Sequence, residues 1–175
     1  MSMRSVVIGL LAAVCVAGVA VAADLPNLGQ PIGPNDIAPW DITIMPDGAG
    51  LPAGSGTPAQ GAPIFAQKCA ACHGENGKGG IAAPLTNFAP KATLDGGKSI
   101  ANFWPYATTV FDFIRRAMPY NKPHSLNDQE VYALTAYVLR LNNLIGDKDV
   151  IDTKSLPKVK MPNRDNFIIR FPERI

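Results

Sequence analysis

Histidine and cysteine are scarce in this chain. Its 175 residues hold 2 His and 3 Cys, few for the two Cys or His pairs that a tetrahedral zinc site usually takes. An excess of charge is missing as well. Lys and Arg number 16 against 14 Asp and Glu, so the net charge of +2 leaves no footprint for a nucleic-acid partner. No alternation of apolar and polar residues predicts a sheet, and there is no internal repeat. Beyond the N-terminus no stretch is long and apolar enough to span a membrane.

The N-terminal stretch "MSMRSVVIGLLAAVCVAGVAVAA" pairs a single Arg4 with one apolar run and ends on Ala20-Val21-Ala22, a small-x-small pattern. Residues 1–23 therefore read as a cleavable signal peptide, with a mature start near Ala23 or Asp24 and a periplasmic destination. The run is short and alanine-rich for an anchor helix, and Cys15 follows Val14 rather than a small residue, which speaks against lipid attachment. Cleavage removes Cys15 and leaves Cys69 and Cys72. A disulfide between residues so close in sequence closes a loop too small to stabilise much.

Residues 24–60 hold 7 Pro and 6 Gly, a linker composition unable to build a helical core. The apolar Ile37, Trp40, Ile42 and Ile44 instead suggest an extended arm laid on a surface of its own domain or of a partner. Regular structure is expected over residues 61–146. "GAPIFAQKCAACH" reads as a short helix with Pro63 in its first turn, and residues 74–106 as loop. "TTVFDFIRRAM" spaces Val110, Phe111, Ile114 and Ala117 helically, with Pro119 as the stop. "NDQEVYALTAYVLRLNNLIG" is the clearest helix, with Asn127 and Glu130 in capping-box position and Gly146 as terminator. Residues 147–175 read as an irregular tail. The fold class is all-α, a few helices joined by loops that need something to pack around.

That something is indicated by "KCAACHGENGKGG". C-x-x-C-H is the attachment signal of c-type haem. Two thiols on one helical turn, Cys69 and Cys72, can meet the two porphyrin vinyl groups, and His73 can face the iron. Zinc usually takes a second Cys or His pair, and His124 is the only other histidine. A thioredoxin-like pair fails because its βαβ setting is missing. Export agrees with haem, because bacteria attach it outside the cytoplasm. For the second axial position the sulfur candidates outside the signal peptide are Met45, Met118 and Met161, with His124 as the imidazole alternative.

Over residues 61–146 the chain resembles the class I c-type cytochromes, with Gly61, Phe65 and Cys69 on a first helix crossed by Leu134 and Tyr137 of the last. The resemblance implies Met118, ahead of Pro119, as axial ligand, with Met161 the runner-up. It implies that the Pro84 carbonyl accepts the His73 Nδ1 proton, and that Trp104, Tyr106 and Arg115 or Arg116 meet the haem propionates. Lys78, Lys91, Lys98 and Lys122 would ring the exposed edge. Ligation by His and Met raises the reduction potential and leaves no open coordination site, which points to electron transfer.

"IAPWDITIMPDGAGLPAGSG", "FWPYATTVFDFIRRAMPY" and "LPKVKMPNRDNF" further resemble the cytochrome c subunits or domains of molybdenum-dependent sulfite or sulfane dehydrogenases. That implies a molybdopterin subunit as electron donor and a separate downstream acceptor. Trp40, Ile42 and Ile44 in the arm, and Phe167, Ile168, Ile169 and Phe171 in the tail, would form a wrap-around interface. One C-x-x-C-H predicts one haem. The alternatives are a soluble carrier serving a terminal oxidase or another dehydrogenase and, from a different class, a five-coordinate haem sensor or catalyst. Carbon monoxide binding to the reduced protein separates the latter from a carrier.

Overall fold

Sixteen prolines and 16 glycines favour short elements joined by irregular segments. In the computed structural model, which describes residues 28–86 and 97–168, the elements run α1 (Pro34–Ile37), β1 (Ser55–Gly56), α2 (Pro58–Lys68), α3 (Ala70–His73), α4 (Ile100–Phe103), α5 (Ala107–Ala117), α6 (Asp128–Leu141) and β2 (Ile151–Asp152). Two 3-10 turns follow, Leu156–Lys158 and Arg164–Asn166. The signal-peptide segment, Lys91, Ile169 and Phe171 lie outside the described residues.

The described residues divide between Asp41 and Ile42 into two units. The first carries α1, opened by Pro34 and by the Asp36 carboxylate, which accepts the Gly33 N–H at 2.9 Å. Its large apolar side chains are exposed: Leu28, Ile32, Ile37 and Trp40, the last 82 % accessible.

The second unit is organised by the crossing of α2 and α6. Helix α2 starts at Pro58, earlier than Gly61, because Thr57 caps it and exchanges hydrogen bonds with Gln60. Pro58 takes the first helical position and Pro63 lies inside the helix, correcting the expected first-turn role of Pro63. A Cβ at Gly61 would overlap the Ala133 carbonyl and sit 2.7 Å from the Tyr137 Cβ. Only a hydrogen at that position lets the two backbones meet. Phe65, one turn on, packs its ring against Tyr137 with centroids 5.2 Å apart.

Helix α6 is capped as expected: the Asn127 side chain accepts the Glu130 N–H at 2.9 Å, and Glu130 Oε2 accepts the Asn127 N–H at 3.1 Å. It ends at Leu141 rather than Gly146. Asn143 adopts φ 56° and the Leu144 N–H returns to the Leu139 carbonyl, so the asparagines close the helix before the glycine is reached. Across the crossing, Lys68 donates to Glu130 Oε1 at 2.6 Å. This bond, chiefly, holds the Glu130 carboxyl below the usual glutamate range, against a smaller desolvation effect.

A carboxyl lowered in the folded state stabilises above its ordinary pKa, and the gain disappears as pH falls through the folded value. Both partners are partly exposed, so Glu130→Gln should cost less than about 1 kcal/mol at neutral pH. Urea midpoints of the two proteins should converge in acid; a gap that persists there would count against the pair.

The segments flanking this crossing contribute to the same core. Ser55 pairs with Asp152 and Gly56 with Ile151 in an antiparallel two-stranded ladder. Ile44, Ile151, Leu156 and Met161 are buried with Phe65, Phe111, Leu134 and Leu139. The Tyr132 hydroxyl donates to the Pro52 carbonyl at 2.9 Å. Burial, helped by Asp128 and Asp152, pushes its pKa up to about 12, which keeps it a donor.

Candidate haem site

The sequence around the two cysteines folds as a helix, a break and one further turn. At Cys69 the backbone leaves the helical region, with φ −124° and ψ −37°. Ala70–His73 then form α3, closed by Gly74 at φ 77°, a conformation that a side chain resists. The Cys72 and His73 N–H groups both return to the Cys69 carbonyl, at 3.1 and 2.9 Å. Cys69, Cys72 and His73 thus share one turn, and both cysteines are free thiols. Burial pushes the Cys69 thiol up to about 11, opposed by Lys68 and reinforced by Cys72. A redox cysteine needs the opposite shift, toward thiolate.

Residues 74–86 fold back over this turn. The Gly77 N–H bonds to Gly74, the Ala82 N–H to the Cys72 carbonyl at 2.8 Å and the Leu85 N–H to Gly77 at 2.7 Å, while the Thr86 hydroxyl donates to the Asn76 carbonyl. The loop brings the Ala83 carbonyl 3.3 Å from His73 Nδ1. The expected acceptor was Pro84; the oxygen that reaches the imidazole belongs to the residue before it, because the two loop bonds at Ala82 and Leu85 aim the Ala83 peptide at the ring. A proton on Nδ1 donated there leaves Nε2 as the lone-pair nitrogen, the tautomer a metal ligand needs.

The other candidates separate. Met118 is half-buried at the C-terminal cap of α5, extended at ψ 146° ahead of Pro119. Met45 is exposed, and Met161 is 3 % accessible within the apolar core. His124 is exposed on the connecting loop at φ 58°. Trp104 is half-buried and meets Phe113 edge-on at 5.4 Å. The expected arginines have other partners: Arg115 pairs with Asp128 at 3.3 Å, and Arg116 with Asp112 at 2.7 Å and with the Ile42 carbonyl at 2.9 Å. Tyr106 instead carries the Arg164 guanidinium over its ring. Sequence spacing gave no signal for Arg164 or for the Ala83 carbonyl. Lys78, Lys98 and Lys122 are exposed.

The donor set fits a covalently held haem: two unpaired thiols and an oriented imidazole on one turn. Half-buried Ile64, Leu85, Trp104, Ile114 and Leu126 pack against the apolar core, as Cys69 and Ala70 do.

Comparison with known proteins agrees with this chemistry. The chain belongs to the cytochrome c family, whose family model matches residues 58–142, and its helical architecture is the class I cytochrome c fold. Membership of that family implies covalently bound haem c. More particular likenesses lie among sulfur enzymes. The crystal structure of the sulfane dehydrogenase SoxCD from Paracoccus pantotrophus is similar with a TM-score of 0.74 and 32 % identity, covering 86 % of this chain and 75 % of that one. Thiosulfate dehydrogenases from Stutzerimonas stutzeri (strain A1501) and Psychrobacter arcticus are each 32 % identical, over 112 and 92 residues. These stretches are 57 % and 51 % of this chain but only 35 % and 28 % of those relatives' own lengths.

Proposed function

We propose that this chain is an exported, monohaem c-type cytochrome that accepts single electrons from the molybdopterin subunit of a dehydrogenase acting on an inorganic sulfur compound. Cys69 and Cys72 would hold the haem through thioethers, and His73 and Met118 would ligate its iron. Bound there, the haem supplies a one-electron couple. The chain's own residues do the rest. The Ala83 carbonyl fixes the His73 tautomer and orientation, and the α2–α6 crossing sets the position of the turn that bears both thiols. A thioether ligand from Met118 raises the potential relative to a second imidazole.

The observation that carries the sulfur assignment is the extent of the likeness to SoxCD. At 86 % of the chain it runs well past residues 58–142, where the cytochrome c family model stops, so the flanks are shared as well as the haem domain. The exposed Leu28, Ile32, Ile37 and Trp40 support an arm that lies on the partner. The downstream acceptor would be a separate protein. The thiosulfate dehydrogenase relatives favour a second reading, in which thiosulfate is the electron source.

Purification from the native host tests both. A co-purifying molybdenum subunit, with haem reduction on adding sulfite or a sulfane-sulfur donor, is the expected result. Reduction by thiosulfate alone would move the assignment to the second reading. A monomer reduced by none of these would remove the sulfur link.

A further inference from the structure

Arg116 stands in the last turn of α5, two residues before Met118, and its guanidinium holds two partners. Nε donates to Asp112 Oδ1 at 2.7 Å, one turn back on the same helix, and Nη2 donates to the Ile42 carbonyl at 2.9 Å. The planar fork of an arginine serves both at once in a fixed geometry. The bond to Asp112 stays within α5. The bond to Ile42 spans 74 positions of the chain and ties the helix to another segment.

That segment is a firm anchor. Ile44, two residues on from Ile42, is 9 % accessible and belongs to the apolar core. The Met45 N–H returns to the Ala49 carbonyl and the Gly48 N–H to the Met45 carbonyl, both at 2.9 Å. A Cβ at Gly50 would overlap the Thr43 carbonyl, so the turn is closed tightly on itself. Moving the Ile42 carbonyl would disturb the seat of Ile44.

The end of α5 needs such an anchor. Its buried residues, Ala107, Thr108, Val110 and Phe111, all lie in its first half, so packing fixes that half most firmly. The last turn depends on polar contacts. Met118 closes the helix with its N–H on the Ile114 carbonyl at 3.2 Å and is itself extended. The neighbouring Arg115 meets Asp128 at 3.3 Å, but both side chains are partly exposed, and pairs of that kind contribute little.

We infer that Arg116 is a positioning residue for Met118: through the Ile42 carbonyl it holds the end of α5 where the thioether can stay on the haem iron. This rests on the reading that Met118 is an axial ligand. Without the bond to Ile42 the last turn of α5 moves more freely, and the fraction of protein with the thioether off the iron rises.

The test compares the haem-loaded full chain with its Arg116→Gln, Arg116→Lys and Asp112→Asn variants. With Arg116→Gln, carbon monoxide uptake by the reduced protein should quicken about tenfold, the factor that about 1.4 kcal/mol represents. The near-infrared thioether band of the oxidised protein should fade on warming well before the helices melt in circular dichroism. Asp112→Asn leaves an acceptor for Nε and the Ile42 bond in place, so its uptake and band should match the unaltered protein. Arg116→Lys keeps one donor and should fall between; if Arg116→Gln does not load haem, Arg116→Lys decides. Unchanged uptake and band in the arginine variants, or an equal effect in Asp112→Asn, overturns the positioning role alone. A near-infrared band missing from the unaltered protein overturns the Met118 reading along with it.

Discussion

Gly61→Val is expected to lower the stability of the haem-loaded protein by about 3 kcal/mol or more, the upper end of what overpacking costs. Most overpacked sites relax by moving a side chain. Here the added Cβ would meet the Ala133 carbonyl, part of the α6 backbone, with the Tyr137 Cβ 2.7 Å away on the same helix. Relief therefore requires the two helices to part. Separation would loosen the Phe65–Tyr137 ring contact and the Lys68–Glu130 bond, both of which span the crossing. Since α2 ends one residue before Cys69, the displacement would reach the haem-bearing turn, and the yield of covalently loaded protein should drop as well. Urea unfolding followed by haem absorbance measures the first effect, and haem-stained denaturing gels the second. A midpoint equal to that of the unaltered protein would mean that the helices do not cross this closely.

Met118→Ala and Met161→Ala should fail in opposite ways. Without the Met118 thioether the oxidised protein should lose its near-infrared sulfur-to-iron band. The reduction potential should fall, and the reduced protein should take up carbon monoxide. Its folding stability should change less than its spectrum, because Met118 is only half-buried at a helix end. Met161 is surrounded by core, so truncation leaves a cavity and should cost about 2–5 kcal/mol with the near-infrared band intact. Absorption spectra and urea midpoints of both variants separate the two roles. A band lost in Met161→Ala and kept in Met118→Ala would reverse the ligand assignment.

The haem motif was legible because its chemistry is local: five consecutive residues carry both thiols and the imidazole, and one turn suffices to gather them. Helices α5 and α6 were legible from apolar spacing, and the Asn127–Glu130 cap from residue type. The start of α2 was not, although Thr57 and Gln60 form the same kind of box, because thirteen prolines and glycines give residues 24–60 the look of a linker. The β1–β2 ladder is two residues long on each side, too short to show any period. Ile151, Leu156 and Met161 are separated by polar residues and prolines, so nothing local marks them as core. The Ala83 carbonyl is a backbone atom, and its identity depends on loop hydrogen bonds that sequence does not display. The Arg164–Tyr106 contact was hidden too: the two are distant in sequence, and the tail is anchored nearby by the Asn163 bond to the Phe103 carbonyl.

The pairing of Ser55–Gly56 with Ile151–Asp152 also bears on the order in which the molecule is made. A chain delivered N-terminus first presents Cys69, Cys72 and His73 long before Ile151 arrives. Until then β1 has no partner, the seats of Leu156 and Met161 stand empty, and the crossing lacks α6 as well. The Cys69 thiol, which burial later covers in part, is open during that interval. Haem joined then would become the nucleus around which the remaining half of the chain closes, and the late ladder would act as its clasp.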